Sequence, residues 1–346
     1  MGIKSNDIDY VVVGSTVEDM INSGFIPVGR DFPVFLHPKT HAQYALARTE
    51  KKSGVGYHGF QFYTSPDITL EQDLKRRDIT INAIAEDDSG NLIDPFNGIN
   101  DLKLKTIRHI SDAFVEDPLR VLRVARFRAK LGFKIARKTL SLMRDIVASG
   151  ELAYITQERI WGEISSALAT HNPLLFFTTL AQSGALAQVL PEIQLAISDK
   201  KTYSVIKRKL SMHNIKILNT NQRFATICGC LCLFGHSKIA AELNNKAILG
   251  RKSAELSRLI IRFNHAVLNL YSLTATEILD LLERLDIQRK PERFRDFSQI
   301  LQLIFSNTNK KIIRKHIQKI INIHDQFSQI DYANISRGLT HNQFFK

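Results

Sequence analysis

Two aspartates spaced two apart, Asp7 and Asp9, run straight into the β-branched stretch Tyr10-Val11-Val12-Val13, which Gly14 ends. Tyrosine and valine favour an extended backbone, so the stretch reads as a strand. Side chains alternate along a strand, which puts both carboxylates on one face with Cα atoms roughly 6.5 Å apart. Hard oxygen ligands at that separation suit a pair of Mg²⁺ ions about 3.5–4 Å apart, the arrangement that serves in-line attack of a hydroxyl on a nucleoside triphosphate. Taken alone, Asp-x-Asp more often marks a strand mouth with two solvated acids. The rest of the chain has to decide between the two.

A second stretch bears on that decision: Glu116-Asp117-Pro118-Leu119-Arg120-Val121-Leu122-Arg123-Val124-Ala125-Arg126-Phe127. Asp117 stands where it can cap a helix that opens on Pro118. At 100° per residue Arg120, Arg123 and Arg126 form one stripe with Lys130 on the same side, while Val121, Val124, Ala125 and Leu131 lie opposite and can pack. Solvated arginines on a surface helix are the ordinary reading; a clamp for a triphosphate and a base is the other. A carboxylate only accepts and a guanidinium only donates, so Asp117 with Arg120 matches a base edge that offers an amino donor beside a ring-nitrogen acceptor. Cytosine and adenine present that edge; uracil and guanine do not.

The elements that must position these residues follow from the pattern along the chain. Ser15 and Glu18 have capping-box spacing, which predicts a helix from Thr16 to about Asn22. Strands are expected over Pro33-Val34-Phe35-Leu36-His37 and from Gln43 to Arg48, then a basic, glycine-punctuated loop from Glu50 to Phe60, then a hairpin whose turn centres on Ser89-Gly90. From residue 112 onward strand signals nearly vanish, and helical periodicity covers 119–131, 138–147, 158–169, 173–181, 223–234, 254–271, 276–285 and 311–323. The fold class is therefore α+β: a small mixed β-sheet head followed by an all-helical remainder. Three domains are expected, over residues 1–100, 101–192 and 193–346.

The 346 residues carry a net charge of +13. Over residues 200–325, 23 Lys and Arg stand against 9 Asp and Glu, whereas the rest of the chain has 24 against 25. Such asymmetry fits a region that holds a polyanion, and equally a solvated basic surface. No secretory signal, membrane span or myristoylation signal is visible, so the expectation is a cytoplasmic protein with no membrane partner. Cys228, Cys230 and Cys232 are too closely spaced to staple a fold and fit no common zinc pattern, which leaves core filling. His109, His265 and His316 form no cluster with acids, and Trp161 reads as core.

The motifs together resemble the class II tRNA nucleotidyltransferase and poly(A) polymerase family, and within it the bacterial CCA-adding enzymes. The resemblance covers about residues 3–192. It rests on Asp7-x-Asp9, on Gly29-Arg30-Asp31-Phe32-Pro33-Val34-Phe35-Leu36-His37-Pro38, on Tyr44-Ala45-Leu46-Ala47-Arg48-Thr49-Glu50, on Arg76-Arg77-Asp78-x-Thr80-x-Asn82-Ala83, on Asp94-Pro95-x-x-Gly98, and on Glu116-Asp117-x-x-Arg120-x-x-Arg123-x-x-Arg126-Phe127. It implies that Asp7 and Asp9 are catalytic and hold Mg²⁺. It implies that Arg77 and Asp78 meet the triphosphate and ribose, that Asp117 and Arg120 read the base, and that Arg123 and Arg126 complete the nucleotide pocket. The architecture implied is a catalytic head, a neck with the base reader, and a helical body and tail that hold the tRNA acceptor arm. The activity implied is untemplated addition of the 3′ CCA of tRNA from CTP and ATP, with a poly(A) polymerase or an RNA-binding pseudoenzyme as the alternatives.

Two departures stand out. The family carries a strand and a Gly-Gly-x-x-Arg-Asp turn before the first aspartate, where this chain has only Met1 to Asn6; the expectation is a true start upstream of Met1. Some relatives also carry a metal-dependent phosphohydrolase marked by adjacent His and Asp. Here Gly229-Cys230 stands at that place, so no phosphohydrolase activity is expected.

Overall fold

A computed structural model describes residues 8–28, 34–52, 60–247, 250–306 and 309–328. The chain divides into two compact units, 1–194 and 195–346. Asp7 and the Gly29–Pro33 part of the second motif lie outside the described residues.

The first unit opens with β1 (Tyr10–Val12), α1 (Val17–Asn22), β2 (Ile26–Val28), β3 (Val34–Leu36) and β4 (Gln43–Leu46). These strands form one sheet in the order β1-β4-β3-β2, with β1 parallel to β4 and the other pairs antiparallel, a mixed sheet as expected. Met20 of α1 packs with Phe35 and Leu46 on one face of it. The capping box is made by Thr16 and Asp19 rather than by Ser15 and Glu18, because the Ser15 hydroxyl turns to the Thr16 carbonyl instead.

Where only a loop was expected after Glu50, β5 (Arg48–Lys52) pairs antiparallel with β6 (Phe60–Thr64). The polar run of β5 has no alternation to reveal it; the β propensity sits in its partner, Phe60-Gln61-Phe62-Tyr63-Thr64. The centre of that loop, 53–59, lies outside the described residues.

Next come α2 (Leu70–Lys75), capped by Thr69 and Gln72, and a 3-10 turn over Thr80–Asn82. The hairpin of β7 (Ala85–Glu86) and β8 (Leu92–Ile93) turns through Gly90 at φ +81°, and the Asp94 carboxylate accepts the N–H groups that open α3 (Gly98–Lys103). β9 (Thr106–Ile107) leads to α4 (Leu119–Leu131), after which β10 (Lys134–Ile135) returns parallel to β9. Helices α5 (Arg137–Ala148), α6 (Gln157–Leu168), α7 (Leu174–Ser183), α8 (Ala185–Val189) and α9 (Pro191–Ser198) follow. One side of α4, with Val121, Leu122, Val124 and Ala125 fully buried, is core, and so is Trp161 of α6.

The second unit is helical: α10 (Lys200–Lys209), α11 (Met212–Ile215), α12 (Thr220–Leu233), α13 (Ser237–Lys246), α14 (Arg251–Leu268), α15 (Ala275–Leu285), α16 (Pro291–Ile304) and α17 (Lys310–Ser328). Helix α12 is buried almost all round, and Cys228, Cys230 and Cys232 fill core on it as free thiols. Burial pushes the Cys230 thiol up to about 12. Among the described residues no group of three His, Cys, Asp or Glu is arranged to hold a metal ion, and no helix is long and apolar enough to cross a membrane. His316 is bonded to the Val267 carbonyl, and the His109 ring to the Thr139 hydroxyl.

At Gly229, α12 is in close contact with Ile260 of α14 and Ile304 of α16. A Cβ there would overlap Ile304 Cδ1 and press on Ile260 Cγ2. Gly229→Ala is expected to lose about 1–3 kcal/mol in urea unfolding, the usual range for overpacking. Adding Ile304→Val, which removes the offending methyl, should restore part of that loss. An acidic side chain at this position would be buried as well as overpacked.

Candidate active site

The site is built around the C-terminal end of α2. Asp73, three and four residues before Arg76 and Arg77, lies on the side of the helix over which both arginines fold back. Its side chain is 1% exposed and is met by both arginines. Asp73 Oδ1 accepts from Arg76 Nε at 3.0 Å and Nη2 at 2.7 Å, and from the backbone N–H of Arg48 at 3.3 Å. Asp73 Oδ2 accepts from Arg77 Nη2 at 3.4 Å, while Arg77 Nη1 donates to the Asn82 carbonyl at 3.1 Å.

These arginines and Asp73 line a cleft of about 180 Å³ together with Asp9, just before β1, and with Tyr10, Val11, Val34, Gln43, Tyr44 and Ala45 of β1, β3 and β4. Asp9 is exposed at its edge. Tyr10 and Tyr44, paired across the strands, stack with ring centroids 4.4 Å apart. A hard oxygen donor thus shares a cleft with two guanidinium groups, a combination suited to a polyphosphate with its cation.

A second cleft, about 200 Å³, adjoins through Arg76 and is lined by Thr49, Gln72, Lys75, Ser111, Ala113, Glu116 and Arg120. Arg120 is buried, donating from Nη1 to the Ala113 carbonyl and from Nη2 to the Arg76 carbonyl, both at 2.7 Å. The base-edge geometry expected of Asp117 and Arg120 therefore starts from a guanidinium with two of its five donors already committed.

The cap position of α4 falls on Pro118 rather than Asp117, one residue later than expected, but the Asp117 Oδ1 still accepts the Leu119 N–H at 3.0 Å. Its Oδ2 also accepts from Arg159 Nη2 of α6 at 3.1 Å. Arg123 donates from Nε to Asp78 Oδ2 at 2.7 Å, and Asp78 Oδ1 takes the Asn82 side-chain amide and the Ile79 N–H. Burial alone would pull the Arg123 guanidinium down, but Asp78, with Glu163 and Asp117 beyond it, holds it above its ordinary value. Arg126 pairs with Glu163 Oε2 at 2.6 Å and lies over the Phe127 ring.

Asp9, Arg77, Asp78, Asp117, Arg120, Arg123 and Arg126 all fall in the first unit: Asp9 shares a cleft with Arg77, and the others are held by ion pairs or by bonds to backbone carbonyls. Of the arginine stripe of α4, Arg123 and Arg126 meet carboxylates of other elements and Arg120 meets backbone carbonyls; Lys130 alone of the four is exposed. Sequence reasoning gave no role to Asp73, Arg76, Arg159 or Glu163. The i,i+3 and i,i+4 spacing of Asp73 to the two arginines was a signal for the first pair. Nothing local in the sequence ties Arg159 to Asp117, 42 residues away.

Residues 1–108 match the family described as "Poly A polymerase head domain", and residues 132–197 match the "Probable RNA and SrmB- binding site of polymerase A". Among solved structures, the Bacillus stearothermophilus CCA-adding enzyme in complex with CTP is similar at 22% identity and a TM-score of 0.65, over 93% of this chain and 74% of that one. A CCA-adding enzyme in complex with ATP is similar at 23% identity and a TM-score of 0.66, over 99% and 79%. The Thermotoga maritima CCA-adding enzyme complexed with tRNA is similar at 22% identity and a TM-score of 0.58, over 92% and 75%. The head motifs, the mixed sheet and the helices that follow it agree with these matches: the chain belongs to the class II nucleotidyltransferase and poly(A) polymerase family, and its fold is that of the CCA-adding enzymes.

Proposed function

We propose that this protein adds the 3′-terminal C, C and A to tRNA from CTP and ATP without a template. The observation that carries the reading is the cleft that Asp9, just before β1, shares with Arg76 and Arg77, with the turn holding those arginines bonded in turn to α4 through Arg120 and Arg123. The fold shared with CCA-adding enzymes bound to CTP, to ATP and to tRNA supports it.

The donor set fits Mg²⁺. Asp9 is a hard oxygen ligand, exposed, beside guanidinium groups that suit phosphates, and Mg²⁺ typically binds through one or two carboxylates plus substrate phosphates. Asp9, together with Asp7, would hold it, and when bound it would supply Lewis-acid activation of the attacking 3′ hydroxyl and charge neutralisation at the pyrophosphate. Arg76 and Arg77 bind and orient the triphosphate. Asp117 and Arg120 accept from the amino group and donate to the ring nitrogen of cytosine or adenine, with Arg123 and Arg126 closing the pocket behind them. The basic residues 193–346 serve as body and tail for the tRNA acceptor arm, with no role for a membrane.

Poly(A) addition is the second reading, favoured by the match of residues 1–108 to the poly(A) polymerase head. One assay decides: purified protein, tRNA ending before CCA, Mg²⁺, and labelled CTP and ATP, supplied singly and together. Incorporation of C, C and A followed by arrest is the expected result. Long A tails would establish the second reading, and tight tRNA binding with no incorporation would mark an RNA-binding pseudoenzyme and overturn both.

A further inference from the structure

We propose that Asp73 is a positioning residue: it fixes the guanidinium groups of Arg76 and Arg77 as a rigid two-pronged grip for the triphosphate of the incoming nucleotide. The inference rests on the nucleotidyl-transfer reading above and adds to it a residue that acts through the two arginines it holds.

The geometry carries it. Asp73 is 1% exposed, whereas Arg76 and Arg77 keep 21% and 34% of their side chains open. One oxygen holds Arg76 by both Nε and Nη2, which fixes the plane of that guanidinium as well as its place. The other oxygen holds one arm of Arg77, and the Asn82 carbonyl holds the other. Arg48 N–H ties the same carboxylate to β5, so the grip is referenced to a strand as well as to α2. The backbone carbonyl of Arg76 is bonded to Arg120, so the pronged residue stands between the Asp9 cleft and the Arg120 cleft.

Electrostatics separates this role from simple attraction. A buried carboxylate beside two guanidinium groups lowers the positive charge the cleft offers a polyanion, so for raw attraction Asp73 works against binding. Its benefit is pre-organisation. Two flexible, mutually repelling side chains are ordered during folding, so the nucleotide does not have to order them on arrival. Reacting groups held in place in this way contribute through orientation, where small displacements have large effects on rate.

The test is Asp73→Asn in the full chain, compared with wild type for the KM of CTP, for inhibition by inorganic pyrophosphate and for inhibition by cytidine, which has no phosphate. Asparagine keeps the shape, removes the charge and raises the net positive charge of the cleft by one. The expected result is a rise of about tenfold or more in both the KM for CTP and the inhibition constant of pyrophosphate, with cytidine inhibition within about twofold of wild type. Pyrophosphate binding that is unchanged or tighter overturns the proposal, because attraction then outweighs orientation. Parallel weakening of cytidine also overturns it, because Asp73 is then holding the fold rather than the grip. Should Asp73→Asn fail to fold, Arg76→Lys gives the same decision. It keeps the charge and gives up the planar fork, and the same split between pyrophosphate and cytidine is expected, with equal behaviour to wild type counting against. A wild-type protein that incorporates nothing takes down the proposed function and this inference together; an active wild type matched by Asp73→Asn takes down this one alone.

Discussion

Asp9→Ala is expected to abolish nucleotide incorporation while tRNA affinity stays within about twofold of wild type. Among the described residues lining the cleft with Arg76 and Arg77, Asp9 is the one carboxylate other than the buried Asp73. A metal held at such a place supplies several kcal/mol of charge stabilisation in the transition state, and each 1.36 kcal/mol is a factor of ten, so a loss of about 10³-fold or more follows. Asp9 belongs to no core cluster and is solvent-facing, so the substitution should leave thermal stability nearly unchanged. Single-turnover incorporation of labelled CTP, measured beside a filter-binding assay for tRNA, checks both halves. Incorporation that survives would show that another group carries the metal.

Arg120→Ala is expected to do two kinds of damage at once. The buried guanidinium donates to the carbonyls of Ala113 and Arg76, and its removal leaves both unpaired beside a new void. Unsatisfied buried groups cost about 1–3 kcal/mol each, so a loss of about 3 kcal/mol in unfolding free energy is the working figure. The second effect is on selection. With the donor beside Asp117 gone, discrimination of CTP and ATP against UTP and GTP should fall by about 10–100-fold, the range for losing one or two specific hydrogen bonds to the base. Arg120→Lys separates the two: a lysine keeps the charge but not the planar fork, so it cannot serve both carbonyls as the guanidinium does. Misincorporation measured with each nucleotide singly, alongside urea unfolding, gives the answer; unchanged selectivity would leave Arg120 a purely structural tie.

What the sequence made legible and what it hid follow one physical line. Helix α4 occupies Leu119–Leu131, the stretch its periodicity covers, because a strong apolar stripe, the Asp117 side chain at the start and Gly132 at φ +72° at the end all agree. The strand after Asp9 and the hairpin at Gly90 were visible for the same reason, each having β-formers beside a glycine that only one backbone conformation explains. The burial of Cys228, Cys230, Cys232 and Trp161 was legible from residue type and spacing. Helices α10, α13 and α16 were not singled out by periodicity, although the buried residues of α16, Phe294, Phe297, Ile300, Leu301 and Ile304, do recur at helical spacing. What sequence spacing could not give is the pairing of Arg123 with Asp78, Arg126 with Glu163 and Arg159 with Asp117, which join residues 37 to 45 apart. Such partners are chosen by the fold. For that reason the arginine stripe, which reads in the sequence as solvated or as an open clamp, turns out to be engaged by protein groups, Arg120 by backbone carbonyls and Arg123 and Arg126 by carboxylates.

The sealed thiols of α12 have a practical corollary. The chain has three cysteines, and all three are buried. A maleimide reacts with an accessible thiolate, and burial withholds both access and ionisation. A fluorophore attached through Met212→Cys, at a side chain 58% exposed in the basic second unit, would therefore be the single dye on an otherwise unaltered molecule. The RNA docking proposed for that unit could then be tested by anisotropy without stripping the native sulfur from the core.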